Sequence, residues 1–141
     1  MIGDSLPTAI GDDLNGSIGT VPGTDSPGAT KFNEIAKSNN FKAGPYTKES
    51  YDSAALIMLA MQAANSTNSN DFKSKVMDVA NAPGEKIFPG ELAKGLKLLS
   101  EGKEIDYVGA SAVELIGAGE SAGNFAEILI DNQKVTTVGY K

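Results

Sequence analysis

The chain contains no cysteine and no histidine. The first absence removes thiol nucleophiles, the second removes imidazole general-base chemistry, and together they remove structural zinc and haem ligation in their usual forms. A cysteine-free composition suits a cytosolic chain or a periplasmic one that folds without disulfides, so it names no compartment. Concentrated positive charge is also missing: 12 basic residues are scattered among 18 acidic ones, for a formal charge of −6. A phosphate backbone would find nothing to hold, and nucleic acid is not an expected partner. Long apolar runs are absent too. The longest, AALIMLAMQAA at 54–64, is too short to span a bilayer and contains Gln62. The opening MIGDSLPTAIGDD has no basic region followed by an apolar core and does not read as a signal peptide.

What is present fits one folded domain. The 141 residues are 40% apolar and 21% charged, enough for a real core, and 16 glycines with 6 prolines argue against an all-helical bundle. Residues 5–14 suggest a short helical turn and 16–22 a brief strand ending at Pro22-Gly23. Ser26 and Pro27 then open a helix with Phe32, Ile35 and Ala36 on one stripe. Thr47 is placed to cap a long helix over 48–64 that is apolar nearly all round and therefore needs cover on several sides. Ser69 or Asn70 caps the next, with Phe72, Val76, Val79 and Ala80 as its stripe. Pro89 opens a helix carrying Leu92, Leu96 and Leu99, closed by a left-handed Gly102 and weakened at Gly95 by about 1 kcal/mol relative to alanine. Tyr107 through Ile116 reads as extended, GAGESAG at 117–123 as a loop, and FAEILI with KVTTVGY as a terminal β-hairpin around Asp131-Asn132-Gln133.

Three patterns invite catalytic or ligand readings, and each has a plainer one. GAGESAG lacks the Gly-Lys-Ser/Thr ending of a phosphate loop and leads into a strand, so it is a turn. Ser100 with Lys103 could form a dyad, but residues this common pair by accident. Asp12-Asp13 without further oxygen ligands is a solvated edge rather than a metal site. The sequons at Asn15 and Asn65 carry no weight if the chain is bacterial.

Several segments together, GDDLNGSIGTVPG, ESYDSAALIMLAMQAANS, KVMDVANAPGEKIFPGELAKGLKLLSEGKEIDYVGAS and the closing hairpin, resemble the C-terminal part of branched-chain amino acid-binding proteins. These are type I periplasmic solute-binding proteins that feed ABC transporters. The resemblance runs along essentially the whole chain, yet the chain looks like only the last portion of such a protein. It implies an α/β fold: a partial type I binding-protein fold, with helices on a small, mostly parallel sheet and a C-terminal β-hairpin. Residues 1–22 would finish the second lobe, 23–120 would belong to the first lobe, and the hairpin within 121–141 would return to the second. It further implies an aliphatic amino acid as ligand, an ABC permease as membrane partner, no cofactor, no catalysis and a periplasmic parent. Two residues would serve the ligand: Asp4, near the ammonium, and Tyr51, whose hydroxyl would reach the hinge or cleft edge. Their ordinary alternatives are a capping carboxylate and a core tyrosine. The competing functions are a truncated α/β unit, non-binding and self-associating as a homodimer through the leucine stripe or the hairpin, and a small hydrolase or transferase, which the missing side chains disfavour.

Overall fold

A computed structural model describes residues 5–117 and 119–141. No helix among them is long and apolar enough to cross a membrane. The chain divides into two compact units, Met1–Asp25 with Gly123–Lys141, and Ser26–Ala122.

The first unit is a small antiparallel sheet. Helix α1 (Ser5–Ile10) runs into a 3₁₀ turn, Gly11–Leu14, and strand β1 spans Ile18–Pro22. The central strand is β6 (Phe125–Asp131), paired antiparallel with β1 on one side and with β7 (Lys134–Tyr140) on the other. In the turn between β6 and β7, Asn132 and Gln133 both have positive φ, 48° and 59°. That two-residue left-handed turn matches the twist of the flanking strands. Along β6, Ala126, Ile128 and Ile130 are buried while their neighbours are not, the period-2 alternation of a sheet with one covered face. The β6–β7 register slips by one residue at Glu127/Ile128, a bulge.

The second unit is helical around a short parallel pair. Helix α2 (Pro27–Ser38) starts as its sequence requires: Ser26 Oγ accepts from the Ala29 amide at 3.2 Å, and Pro27 fills the first turn. Helix α3 is Thr47–Ala64. The expected Thr47 cap is not formed, because the Thr47 hydroxyl turns back to the Gly44 carbonyl (2.7 Å) and accepts from the Gly44 amide (2.8 Å). Tyr46 stands before the first turn instead, with φ 60°. The next helix proves to be two, α4 (Ser69–Phe72) and α5 (Lys75–Ala80). Its cap is Asn68, whose Oδ1 accepts from the Asn70 amide at 2.9 Å, so the start lies just before the expected Ser69 or Asn70.

Strand β2 (Glu85–Ile87), helix α6 (Leu92–Ser100) and strand β3 (Ile105–Tyr107) form a crossover in which β2 and β3 pair in parallel. Pro89 therefore lies in a turn ahead of α6 rather than opening it. The extended run expected over Tyr107–Ile116 is interrupted by a turn at 108–112, with φ of 67° at Gly109 and 55° at Ala112. The end of that run is extended as expected, as strand β4 (Leu115–Gly117), and the region expected as a loop contains its antiparallel partner β5 (Glu120–Ser121).

The mostly parallel sheet is thus corrected to a mixed set: one parallel pair and two antiparallel groups. The reason is connectivity. Only β2 and β3 are joined by a helical crossover, whereas a tight turn such as that between β6 and β7 can only return a strand antiparallel.

The main core gathers Leu59, Val79, Ala80, Ile87, Ile105 and Tyr107, all nearly inaccessible to solvent. Leu92, Leu96 and Leu99 pack against it, so the leucine stripe of α6 faces inward. Gly95 is no simple weak point: a Cβ there would meet Leu59 Cδ2 at 2.9 Å and Ile87 Cγ2 at 3.4 Å, and its absence lets α6 lie close to α3. Helix α3 buries Asp52, Ala55, Leu56, Leu59 and Ala60, but Ile57 and Met58 remain 47% and 42% exposed, so the cover expected around it is one-sided.

Candidate functional site

The parallel pair sets the site. In α/β folds, ligands lie beyond the carboxyl ends of parallel strands, where loops leave the sheet. Here those loops are 88–91 after β2 and 108–112 after β3, and the first turns of α2 and α3 converge on them.

Tyr51 and Asp52, adjacent near the start of α3, each hold one loop. Tyr51 Oη accepts a hydrogen bond from the Gly90 amide at 3.0 Å. Its half-buried ring packs edge-on against Phe32 of α2, centroids 5.2 Å apart at 66°. Asp52 is 2% exposed and its carboxylate is fully engaged. Oδ1 accepts from the Tyr107 hydroxyl (2.9 Å) and the Ala110 amide (2.7 Å). Oδ2 accepts from the Ser111 amide (2.7 Å) and the Ser111 hydroxyl (2.6 Å). Short bonds to an ionised acceptor repay the cost of burying it. Burial, reinforced by the adjacent Asp52 charge, pushes the Tyr107 hydroxyl well above the usual tyrosine range, so it serves as a fixed donor.

Loop 88–91 has its own electrostatics. The Phe88 amide donates to Glu91 Oε2 at 3.0 Å, and Lys31 of α2 lies 3.5 Å from Glu91 Oε1 and 4.3 Å from the centre of the Phe88 ring. The Glu91 carboxyl is held below its ordinary pKa, first by the bond from the Phe88 amide and then by Lys31, against a raising contribution from partial desolvation.

Beside this cluster, Phe32, Ile35, Ala36, Phe41, Thr47 and Tyr51 line an open, mainly apolar groove of about 410 Å³. That volume and chemistry suit a small aliphatic group. Tyr46 exposes nearly half of its surface next to it in sequence. An aromatic residue in the left-handed region costs energy that a functional position can justify.

Of the residues singled out from sequence, Asp4 lies outside the described residues. Tyr51 lies in the groove wall, its hydroxyl engaged with Gly90. Ser100 and Lys103 form no dyad: the serine hydroxyl donates to the Lys97 carbonyl (2.7 Å) and the lysine pairs with Glu101 (2.7 Å). Asp12 and Asp13 are exposed on the 3₁₀ turn, and no group of three or more potential metal ligands occurs among the described residues. Sequence reasoning missed Asp52. Asp52 could have been found from its spacing, since it shares the helical stripe of Ala55, Leu56 and Leu59.

The fold resembles part of that of periplasmic binding proteins. Over 98% of its length the chain superposes on the leucine-binding protein LivK from Thermotoga maritima, with a TM-score of 0.67 and 16% identity, and covers 34% of that chain. In sequence it is similar to BasB, the substrate-binding protein of a chemotactic signal transduction system in Halobacterium salinarum: 29% identical over 105 residues, 74% of this chain and 25% of BasB. No family model matches. The chain therefore spans only about a quarter to a third of the length of these two relatives, and both are named for binding rather than for catalysis.

Proposed function

We propose that the chain is part of a solute-binding protein that captures branched-chain or similar aliphatic amino acids and presents them to an ABC permease of the membrane. The observation that carries this reading is the superposition of nearly the whole chain on a leucine-binding protein. The convergence of two strand-end loops with the first turns of α2 and α3, beside an apolar groove, supports it, because binding proteins need a rigid apolar wall with a few fixed polar groups. On this reading residues 23–120 belong to the first lobe, while 1–22 and 121–141 belong to the second. Tyr51 contributes its ring to the aliphatic wall, and Asp4 is the residue assigned to the ammonium group. The work is capture and delivery outside the cytoplasm, without cofactor or bond-making chemistry.

A second reading, a self-associating α/β unit that binds nothing, is favoured by a different observation. Ile18 of β1 is 84% exposed and Val138 of β7 59%, and both strands are edges of the three-stranded sheet that a second copy could cover. Light scattering followed by titration calorimetry with leucine, isoleucine and valine separates the two. Saturable heat supports capture; a folded chain that gives no heat and has twice the monomer mass supports self-association.

A further inference from the structure

Four contacts join the strand-end loops and the starts of two helices into a closed ring. Tyr51 of α3 holds Gly90. The loop containing Gly90 meets α2, where Lys31 pairs with Glu91 and lies over the Phe88 ring, and where a Cβ on Gly28 would stand 3.7 Å from Pro89 Cδ. The same Gly28 abuts the Gly109 carbonyl so closely that no side chain fits there, and Ala110 packs with Phe32 and Ala36. Asp52 then binds Ala110 and Ser111 and returns the ring to α3. In an open chain of contacts, each loop can loosen alone. In a closed ring, releasing one contact removes a constraint on the members on either side.

We propose that Tyr51 and Asp52 are positioning residues that make loops 88–91 and 108–112 a single unit with the start of α3, so that neither loop opens without the other. Adjacency in sequence makes this economical: one rigid helical turn fixes both anchors. The benefit is preorganisation, since two loops already held in place lose less freedom when a ligand arrives. What the coupling serves rests on the proposed capture of an aliphatic amino acid; the coupling itself does not.

The test is amide hydrogen exchange of the folded chain by NMR, with rates referenced to the deeply buried Leu59. Tyr51→Phe removes only the acceptor for Gly90. It is expected to speed exchange at Gly90 by about tenfold and, although it breaks no bond in the other loop, at Ala110 and Ser111 by at least about threefold. Ser111→Ala removes one hydroxyl bond to Asp52 and is expected to speed Gly90 reciprocally. Effects confined to the loop that was altered, in both variants, overturn the coupling. Titration of the same samples with leucine keeps the two ideas apart. Coupled exchange without leucine binding sinks the capture role and leaves the coupling standing; leucine binding with uncoupled exchange does the reverse.

Discussion

The two compact units are held together by different means. The sheet of β1, β6 and β7 relies on a hydrogen-bonded ladder and one alternating apolar face, Ala126, Ile128 and Ile130. The helical unit adds to its apolar core a buried carboxylate that collects four donors from residues far along the chain. A ladder distributes its contributions over many equivalent bonds. A hub concentrates them, so a single substitution there does disproportionate harm.

The sharpest way to break the comparison is Asp52→Ala. It strands the Tyr107 hydroxyl and the Ala110 and Ser111 amides, and should destabilise the helical unit by about 4 kcal/mol in a urea titration. Next come two cavity-forming changes, Leu59→Ala and Ile128→Ala, each expected to cost about 3 kcal/mol. Hydrogen exchange should show each loss of protection confined to its own unit; identical exchange patterns would mean that the units unfold together. Gly95→Ala gains helix propensity but drives a methyl into Leu59 and Ile87, for a net loss of about 1 kcal/mol by thermal denaturation. Gln133→Gly relieves a left-handed side chain and should stabilise the sheet by about 0.5 kcal/mol. The smallest effect is the acid response of loop 88–91. Glu91 is depressed in the fold, so its contribution is complete above the ordinary carboxylate pKa and disappears as pH falls through the lower folded value. The protection factor of the Gly90 amide should fall as pH drops through that window, and Glu91→Gln should abolish the dependence.

How much was legible follows from how local each signal is. The β6–β7 hairpin was readable because two alternating runs flank a short polar turn, and α2 because Ser26-Pro27 marks its start within the sequence itself. Strand β2 was not readable: three residues between Pro83-Gly84 and Phe88-Pro89 are too few to display a period. The break between α4 and α5 left no signal in composition. At the site, Tyr51 was picked out but its partner Gly90 was not, and Asp52 was given no role. Its donors Tyr107, Ala110 and Ser111 lie 55 to 59 positions away, a proximity only the tertiary fold creates. The one-sided cover of α3 was likewise invisible, because the apolar run Leu56-Ile57-Met58-Leu59 does not say which of its members will find neighbours.

The pairing of β1 with β6 has a consequence for synthesis. Ile18 aligns with Leu129, so the first strand of this sheet leaves the ribosome long before the strand that completes it. At ordinary elongation rates the gap is about 5 to 20 s, during which the helical unit, continuous from Ser26 to Ala122, is made in full. The nascent chain thus carries β1, bearing Ile18 and Val21, without its β6 partner while the whole helical unit is made, and the β1–β6 ladder closes only after β6 has emerged.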